Sequence, residues 1–336
     1  METSTHASEV ATHVLVTLPL RGDEPERFRA AMPQAEFVFK DKGATTQVDY
    51  QWATVVMGPC TPELVGSAPH LEWLHLGSAG ADQYLRPGAL PAQTMLTSSV
   101  GAYGQAVSEH SFASLLAIMK KLHLYRDDQR TARWVDEGPV TTLRGARVAV
   151  LGSGDLGRHF ALLCSAMGAS CTAVHRHVLG EKASSEFRAA FTDERAMDEL
   201  VDVLAVSDVV ACFLPGSPAT RGLADARFFS AMKTGAYFVN AGRGDLVDQD
   251  ALCDALESGH LAGAALDVCT PEPLPEDSRL WGERNLLLTP HVGGFWHLPV
   301  TRDNVVAIAL ENLRRYAAGE DLLNVQRRPG PLEPAR

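Results

Sequence analysis

The sequence predicts an α/β protein with a doubly wound parallel sheet in one domain and a second, smaller α/β domain. Three observations carry this. Six short apolar runs between residues 148 and 288 are separated by helix-compatible segments. The glycine-rich turn Gly152-Ser153-Gly154-Asp155-Leu156-Gly157 follows the first run directly. Five further apolar runs, punctuated by Pro, Gly and Ser, fill the first hundred residues.

In chain order, Val14–Leu18, Glu36–Phe39, Thr54–Met57, Trp73–Leu76 and Met95–Thr97 read as five strands of one small sheet. Gln105–Leu124 reads as one long helix, with Val107, His110, Leu115, Ile118 and Leu122 at helical intervals. Both its faces carry many small or apolar residues, which predicts burial between domains or subunits. Arg126–Thr142 is polar and irregular, with Trp134 as its expected anchor. The six strands of the second series are Val148–Leu151, Cys171–Val174, Val209–Leu214, Ala236–Val239, Ala264–Val268 and Leu286–Leu288. Thr301–Ala318 is an amphipathic helix with Val306, Ala309, Leu310, Leu313 and Ala317 on one face. It follows the last strand of that series and is assigned to the N-terminal domain. The expected division is therefore residues 1–103 with 295–336 as a discontinuous first domain, and 104–294 as the second domain.

The 336 residues suit two domains, each large enough for its own core. A net charge of -11 argues against nonspecific binding to nucleic acid or to an anionic membrane, but not against an anionic substrate at a local site. The six cysteines show no CxxC and no zinc-ligand spacing, so they read as buried small hydrophobes in a reducing compartment. No metal site is expected. Residues 1–20 lack a basic segment ahead of an apolar core, and no run of about 18 apolar residues occurs, so the expected location is cytoplasmic.

The glycine turn sits in the setting its chemistry needs, between a strand and a helix. Gly152 permits the turn, Gly154 lets a pyrophosphate approach the backbone, and Gly157 lets the helix pack on the strand, as in a Rossmann dinucleotide site. Amides at the helix start then hold phosphate. An acidic residue about 20 positions on normally takes the ribose hydroxyls of NAD. Here Val174 is followed by His175-Arg176-His177, with no carboxylate until Glu181. A guanidinium favours a 2′-phosphate, so NADP(H) is favoured, with NAD(H) as the alternative.

Three side chains follow strand-like runs and could meet where parallel strands end. Arg243 follows Ala236–Asn240 on a turn flanked by Gly242 and Gly244, which let backbone approach a ligand. Its planar fork can pair with a carboxylate and an adjacent carbonyl oxygen. Glu272 lies in a proline-stiffened segment after Ala264–Val268, and Asp267, on that apolar run, needs a ligand or backbone partner. His291 follows Leu286–Pro290 and is the best proton donor among twelve histidines. A neighbouring Glu272 would orient its ring and stabilise the imidazolium. This is the set that reduction of a 2-keto acid requires. A nucleotide-sensing interaction protein with little turnover is the rival from another class. GxSxG and GxxxxGK[ST] are both absent, which disfavours a serine hydrolase and a P-loop NTPase.

The chain resembles the D-isomer-specific 2-hydroxyacid dehydrogenase family, particularly its glyoxylate/hydroxypyruvate reductase-like members. The matching pieces are Leu143-Arg144-Gly145, GSGDLG, Phe213–Leu223, Met232–Leu252, Gly263–Pro275 and Thr289–Gly294, with Gly77–Asp82, Gly101–His110 and Glu311–Tyr316 besides. They span nearly the whole chain from about Thr54. The resemblance implies a Rossmann nucleotide domain, a flavodoxin-like substrate domain, and a homodimer formed through the nucleotide domain. It implies that Arg243 binds the substrate carboxylate and carbonyl, that His291 is the acid/base supported by Glu272, and that amides of Ala79 and Gly80 hold the carboxylate. Trp296 would line the substrate pocket. Cofactor contacts are implied for the Gly152–Gly157 turn, His175, Arg176, Leu214, Pro215, Thr220, Ala241, Gly242, Arg243, Asp267, His291 and Gly293, with Asp267 at the nicotinamide end. The usual strand-end Asp is absent, and Ser217 stands where threonine is common. Phe295-Trp296-His297 is bulkier than the family's usual small residues, so a pocket for a larger aromatic or aliphatic acid stands beside the small-substrate reading. Formate oxidation is disfavoured, because that branch typically carries Gln in place of Glu272.

Overall fold

The structure, a computed structural model, describes residues 11–327. The chain divides into two compact units. One runs to Ala102 and resumes at Leu298; the other is Tyr103–His297.

The first unit holds five parallel strands: β1 (His13–Val16), β2 (Glu36–Phe39), β3 (Val55–Met57), β4 (Trp73–His75) and β5 (Met95–Thr97). Their spatial order is β2-β1-β3-β4-β5, the flavodoxin-like doubly wound order. The central strands β1, β3 and β4 are mostly or wholly buried, as expected where helices cover both faces. One core gathers Leu15, Tyr50, Val56, Leu74 and Leu96. The helix Pro299–Ala318 belongs to this unit: Tyr316 stacks on Trp73 at 4.9 Å and its hydroxyl donates to Glu72. Arg302, nearly fully buried, donates to the Glu24 carboxylate and the Pro19 carbonyl.

His75 is buried at the end of β4 in a chain of hydrogen bonds. Trp73 Nε1 donates to Thr97 Oγ1, which lies 2.8 Å from His75 Nδ1; His75 Nε2 faces Ser99 Oγ, which donates to Leu76 O. These bonds close with a neutral imidazole, in which Nδ1 accepts and Nε2 donates. Burial pushes its pKa down to about 3.

The second unit holds seven parallel strands where six were expected: β6 (Arg147–Leu151), β7 (Ser170–His175), β8 (Asp193–Ala196), β9 (Val209–Cys212), β10 (Ala236–Asn240), β11 (Leu261–Leu266) and β12 (Leu286–Leu288). Their order is β12-β11-β10-β9-β6-β7-β8. The unexpected strand is the edge strand β8, whose sequence Asp-Glu-Arg-Ala carries no apolar signal because it is exposed or half-exposed throughout. Beneath β10, Phe238 is packed by the ring edges of Phe228 and Phe229.

The helix expected as one piece over Gln105–Leu124 is two, Gly104–Met119 and Leu122–Arg130. Lys121 takes a left-handed conformation (φ 56) and interrupts the ladder. The ammonium groups of Lys120 and Lys121 reach the carbonyls of Thr141 and Glu137, and the Glu137 amide donates to Tyr125 Oη. These polar ties hold the 131–142 segment. Trp134 does not anchor it, for its side chain is fully exposed. The helix Gly104–Met119 is packed within its own unit, where Phe112 meets Phe160 of the helix Asp155–Ala166 edge-on. Among the described residues, no helix is long and apolar enough to cross a membrane, and no cluster of three or more His, Cys, Asp or Glu could hold a metal ion.

Candidate active site

The strand order reverses direction between β6 and β9, so a crevice opens at their carboxyl ends. The Gly152–Gly157 turn occupies that position. Gly152 has φ +91, and a Cβ there would lie 2.8 Å from the Phe213 carbonyl carbon. A Cβ at Gly157 would sit 2.1 Å from Gly152 O, so the helix can approach β6 only with glycine there. A Cβ at Gly154 would meet nothing within 4 Å. The helix Asp155–Ala166 begins next, without a side-chain cap. Open space over a helix N-terminus with uncapped amides fits a pyrophosphate. Asp155 turns its carboxylate toward His159, 3.3 Å away, and toward the backbone at Gly104. Its charge thus faces the start of the helix Gly104–Met119, where a helix dipole favours it.

At the end of β7, His175 bridges two groups. Nδ1 lies 3.1 Å from Ser153 Oγ, Nε2 lies 3.1 Å from Glu194 Oε2, and the ring stacks on Phe187. Glu194 comes from β8, so a carboxylate does stand beside this strand end, although none precedes Glu181 in sequence. It also accepts the amides of Leu179 and Gly180, at 2.9 and 2.6 Å. Those backbone bonds hold its carboxyl below the usual carboxylate range. Arg176 is exposed at the same strand end.

Arg243, Glu272 and His291 follow β10, β11 and β12, three adjacent strands, and all leave at the carboxyl end. The Arg243 turn is held by Asn240, which is fully buried; its Nδ2 donates to Arg243 O and its Oδ1 accepts the Gly242 amide. Sequence reasoning missed Asn240. Its signal is a polar residue closing an apolar run just before glycine. The flanking glycines approach protein backbone and not only a ligand. A Cβ at Gly242 would lie 2.6 Å from Leu214 O, and one at Gly244 would lie 1.9 Å from Cys269 O. The turn is thereby pressed between the segments following β9 and β11. Arg243 is half-buried, with one guanidinium nitrogen donating to Gly242 O at 2.7 Å.

Glu272 lies between two cis X-Pro bonds, Thr270–Pro271 and Glu272–Pro273. Oε1 accepts the Cys269 amide at 3.0 Å, and Oε2 lies 2.8 Å from His291 Nδ1. His291 has φ 55, a region side-chain-bearing residues rarely adopt. Its amide donates to Asp267 O at 2.7 Å. The Asp267 carboxylate accepts from Thr289 Oγ1 and from the amides of Val292 and Gly293, so both oxygens are bound to the turn carrying His291.

Leu214 and Ala241 are buried at the ends of β9 and β10, and Pro215 O accepts from Thr220 Oγ1 at 2.8 Å. In the first unit, Ala79 and Gly80 are half-buried in the loop after β4, where Ser78 Oγ donates to Gly80 O. Trp296 donates its indole N–H to Tyr103 Oη of its own chain, while Phe295 and His297 stack on each other and stay exposed.

Comparison with known proteins identifies the family. The family model described as D-isomer specific 2-hydroxyacid dehydrogenase, NAD binding domain, matches residues 112–293. Glyoxylate/hydroxypyruvate reductase A of Photorhabdus laumondii is 31% identical over 267 residues, covering 77% of this chain and 80% of that protein. The crystal structure of a D-isomer specific 2-hydroxyacid dehydrogenase family protein from Aeromonas salmonicida superposes with a TM-score of 0.79 at 30% identity, over 95% of this chain and 99% of that one. A D-isomer specific 2-hydroxyacid dehydrogenase from Xanthobacter autotrophicus, in complex with NADPH and MES, gives 0.76 at 29% identity over 95% and 98%. With a glycine turn built for a dinucleotide and an Arg, Glu and His at three neighbouring strand ends, the chain belongs to the D-isomer specific 2-hydroxyacid dehydrogenases, a family of NAD(P)-dependent oxidoreductases.

Proposed function

We propose that this enzyme reduces a small 2-keto acid of the glyoxylate or hydroxypyruvate kind to the D-2-hydroxy acid, with NADP(H) favoured over NAD(H). The observation that carries the reading is the 2.8 Å contact between Glu272 Oε2 and His291 Nδ1. A carboxylate accepts but does not donate, so Nδ1 carries a hydrogen and Nε2 is left as the atom that protonates the substrate carbonyl. Arg243 takes the substrate carboxylate and polarises the carbonyl oxygen with its fork. Gly152–Gly157 would hold the pyrophosphate of a bound dinucleotide, whose nicotinamide would supply the hydride. Arg176, exposed at the end of β7, is the group for a 2′-phosphate, whereas the Glu194 carboxylate beside His175 keeps NAD(H) as the alternative. Exposed Leu122, Trp134 and Val135 support assembly as a homodimer through the Tyr103–His297 unit.

A second reading, a larger aromatic or aliphatic 2-hydroxy acid, is favoured by Trp296, whose indole is held by Tyr103. Oxidation of NADPH and of NADH, followed with glyoxylate, hydroxypyruvate and phenylpyruvate, decides between them. The proposal expects the highest kcat/KM for the two small acids with NADPH. A preference for phenylpyruvate moves the assignment to the second reading, and cofactor binding with no turnover on any acid moves it to a sensing protein.

A further inference from the structure

His110 lies outside the Arg–Glu–His set, yet it is bonded to the turn that carries His291. It sits on the helix Gly104–Met119, 179 residues before Thr289, with its Nε2 2.9 Å from Thr289 Oγ1. Thr289 has one hydroxyl proton, and the 2.6 Å contact with Asp267 Oδ1 claims it. The hydroxyl oxygen therefore accepts from His110, so Nε2 must carry a hydrogen. The same nitrogen lies 3.5 Å from Asp267 Oδ1. Asp267 is buried and holds the amides of Val292 and Gly293, each at 3.0 Å. His110, Thr289 and Asp267 thus grip the turn on both sides of His291, whose φ of 55 needs the surroundings to hold it. The ring also touches the turn: a Cβ on Gly293 would lie 3.1 Å from His110 Cδ2 and 2.9 Å from Asp267 Oδ2.

We infer that His110 is a positioning residue for the reduction, acting as an Nε2–H donor that locks Thr289 and Asp267 and so sets the direction of the His291 imidazole. It acts through Thr289 and Asp267 and not on the reacting atoms. The inference rests on the reading of His291 as proton donor. Glu272 aims the ring from its Nδ1 side, whereas His110 fixes the backbone from which the ring projects.

The test is steady-state NADPH oxidation with glyoxylate, together with NADPH binding and thermal melting, for His110→Phe, His110→Gln, Thr289→Val and the double variant His110→Phe/Thr289→Val. Phe keeps a ring without a donor, and Gln restores an N–H near the Nε2 position. His110→Phe should lower kcat about 10- to 100-fold, the scale of a small misplacement of a reacting group, with the KM for glyoxylate and the affinity for NADPH little changed. His110→Gln should recover most of the loss, and the double variant should be no worse than His110→Phe, because the two residues act through one chain of bonds. Wild-type kcat in His110→Phe, no recovery with Gln, or additive losses would each overturn the inference. If His110→Phe does not fold, Thr289→Val decides: a lowered kcat at unchanged KM supports the inference, and an unchanged kcat overturns it. Substantial turnover in His291→Ala rejects the underlying reading and the inference with it. Loss of turnover there, with His110→Phe normal, rejects the inference alone.

Discussion

Glu272 divides its two carboxylate oxygens between the Cys269 amide and His291 Nδ1, at 3.0 and 2.8 Å. One oxygen thus anchors the group to its own loop while the other orients the imidazole. His291→Ala should lower kcat by about 10²–10⁴-fold, the usual contribution of a general acid, with NADPH affinity nearly unchanged. Glu272→Gln keeps an acceptor but removes the charge that stabilises an imidazolium, so its loss should be smaller and concentrated in kcat. Steady-state kinetics on both variants measure this; near-normal turnover in His291→Ala would reject the assigned role.

Arg243 sits on a turn fixed by Asn240, and its guanidinium donates to Gly242 O in that turn. Arg243→Lys keeps the charge but loses the fork. Loss of one charge-assisted hydrogen bond, about 1.5–3 kcal/mol, corresponds to roughly a 10- to 150-fold fall in kcat/KM for the keto acid. Arg243→Ala should lose more. Unaltered kinetics in either variant would remove Arg243 from the site.

The glycine turn separates a cofactor role from a folding role. Gly154→Ala adds a methyl group to open space, so the free protein should melt normally while NADPH binding weakens. Gly157→Ala drives a Cβ to 2.1 Å from Gly152 O and should lower the melting temperature of the free protein. Thermal melts with and without NADPH distinguish the two, and equal destabilisation by both would contradict the assignment of Gly154 to phosphate approach.

Acid should weaken the first unit through His75. Burial holds its pKa at about 3, below the 6.5 of an unfolded chain. Between those values the unfolded state binds a proton that the folded state refuses, so this contribution is intact above pH 6.5 and lost as pH falls. The slope is about 1.4 kcal/mol per pH unit from this one group. Urea unfolding at pH 7, 6 and 5 should show a shallower decline in His75→Gln than in the parent. Parallel declines would mean that His75 does not titrate on unfolding.

Buried Arg302 and partly buried Glu24 form an ion pair, and the guanidinium also donates to Pro19 O. Burial pushes the Glu24 carboxyl up, but the guanidinium and the Arg21 amide pull it further down, and the net displacement is downward. Arg302→Met would leave that carboxylate uncompensated and should cost about 3–5 kcal/mol. Glu24→Gln in the same chain should restore part of it, as chemical denaturation would show. The same loss with and without Glu24→Gln would assign the effect to packing.

Much of this protein is written locally. β-branched and apolar runs with glycine turns specify parallel strands, because a strand buried on both faces needs an apolar side chain at nearly every position. Gly152, Gly154 and Gly157 are legible from their spacing in one turn, where Gly152 and Gly157 answer short-range steric demands. Arg243, Glu272 and His291 are legible for a related reason: each leaves the carboxyl end of a strand, where the topology collects them. What depends on pairing across the fold stays hidden. The edge strand β8 has no apolar pattern to announce it, so Glu194 beside His175 appears only once that strand is paired. The break at Lys121 is a backbone event inside a run of good helix formers, and Trp134 loses its expected anchoring role to lysine–carbonyl contacts. Asn240 and Asp267 read as polar residues ending apolar runs, but which backbone groups they bind is set by neighbouring turns. His110 reads as one position of a helix face, and only the tertiary structure brings it to Thr289. Sequence periodicity reports which face of an element is buried; which group sits opposite is decided by the packing of elements far apart in the chain.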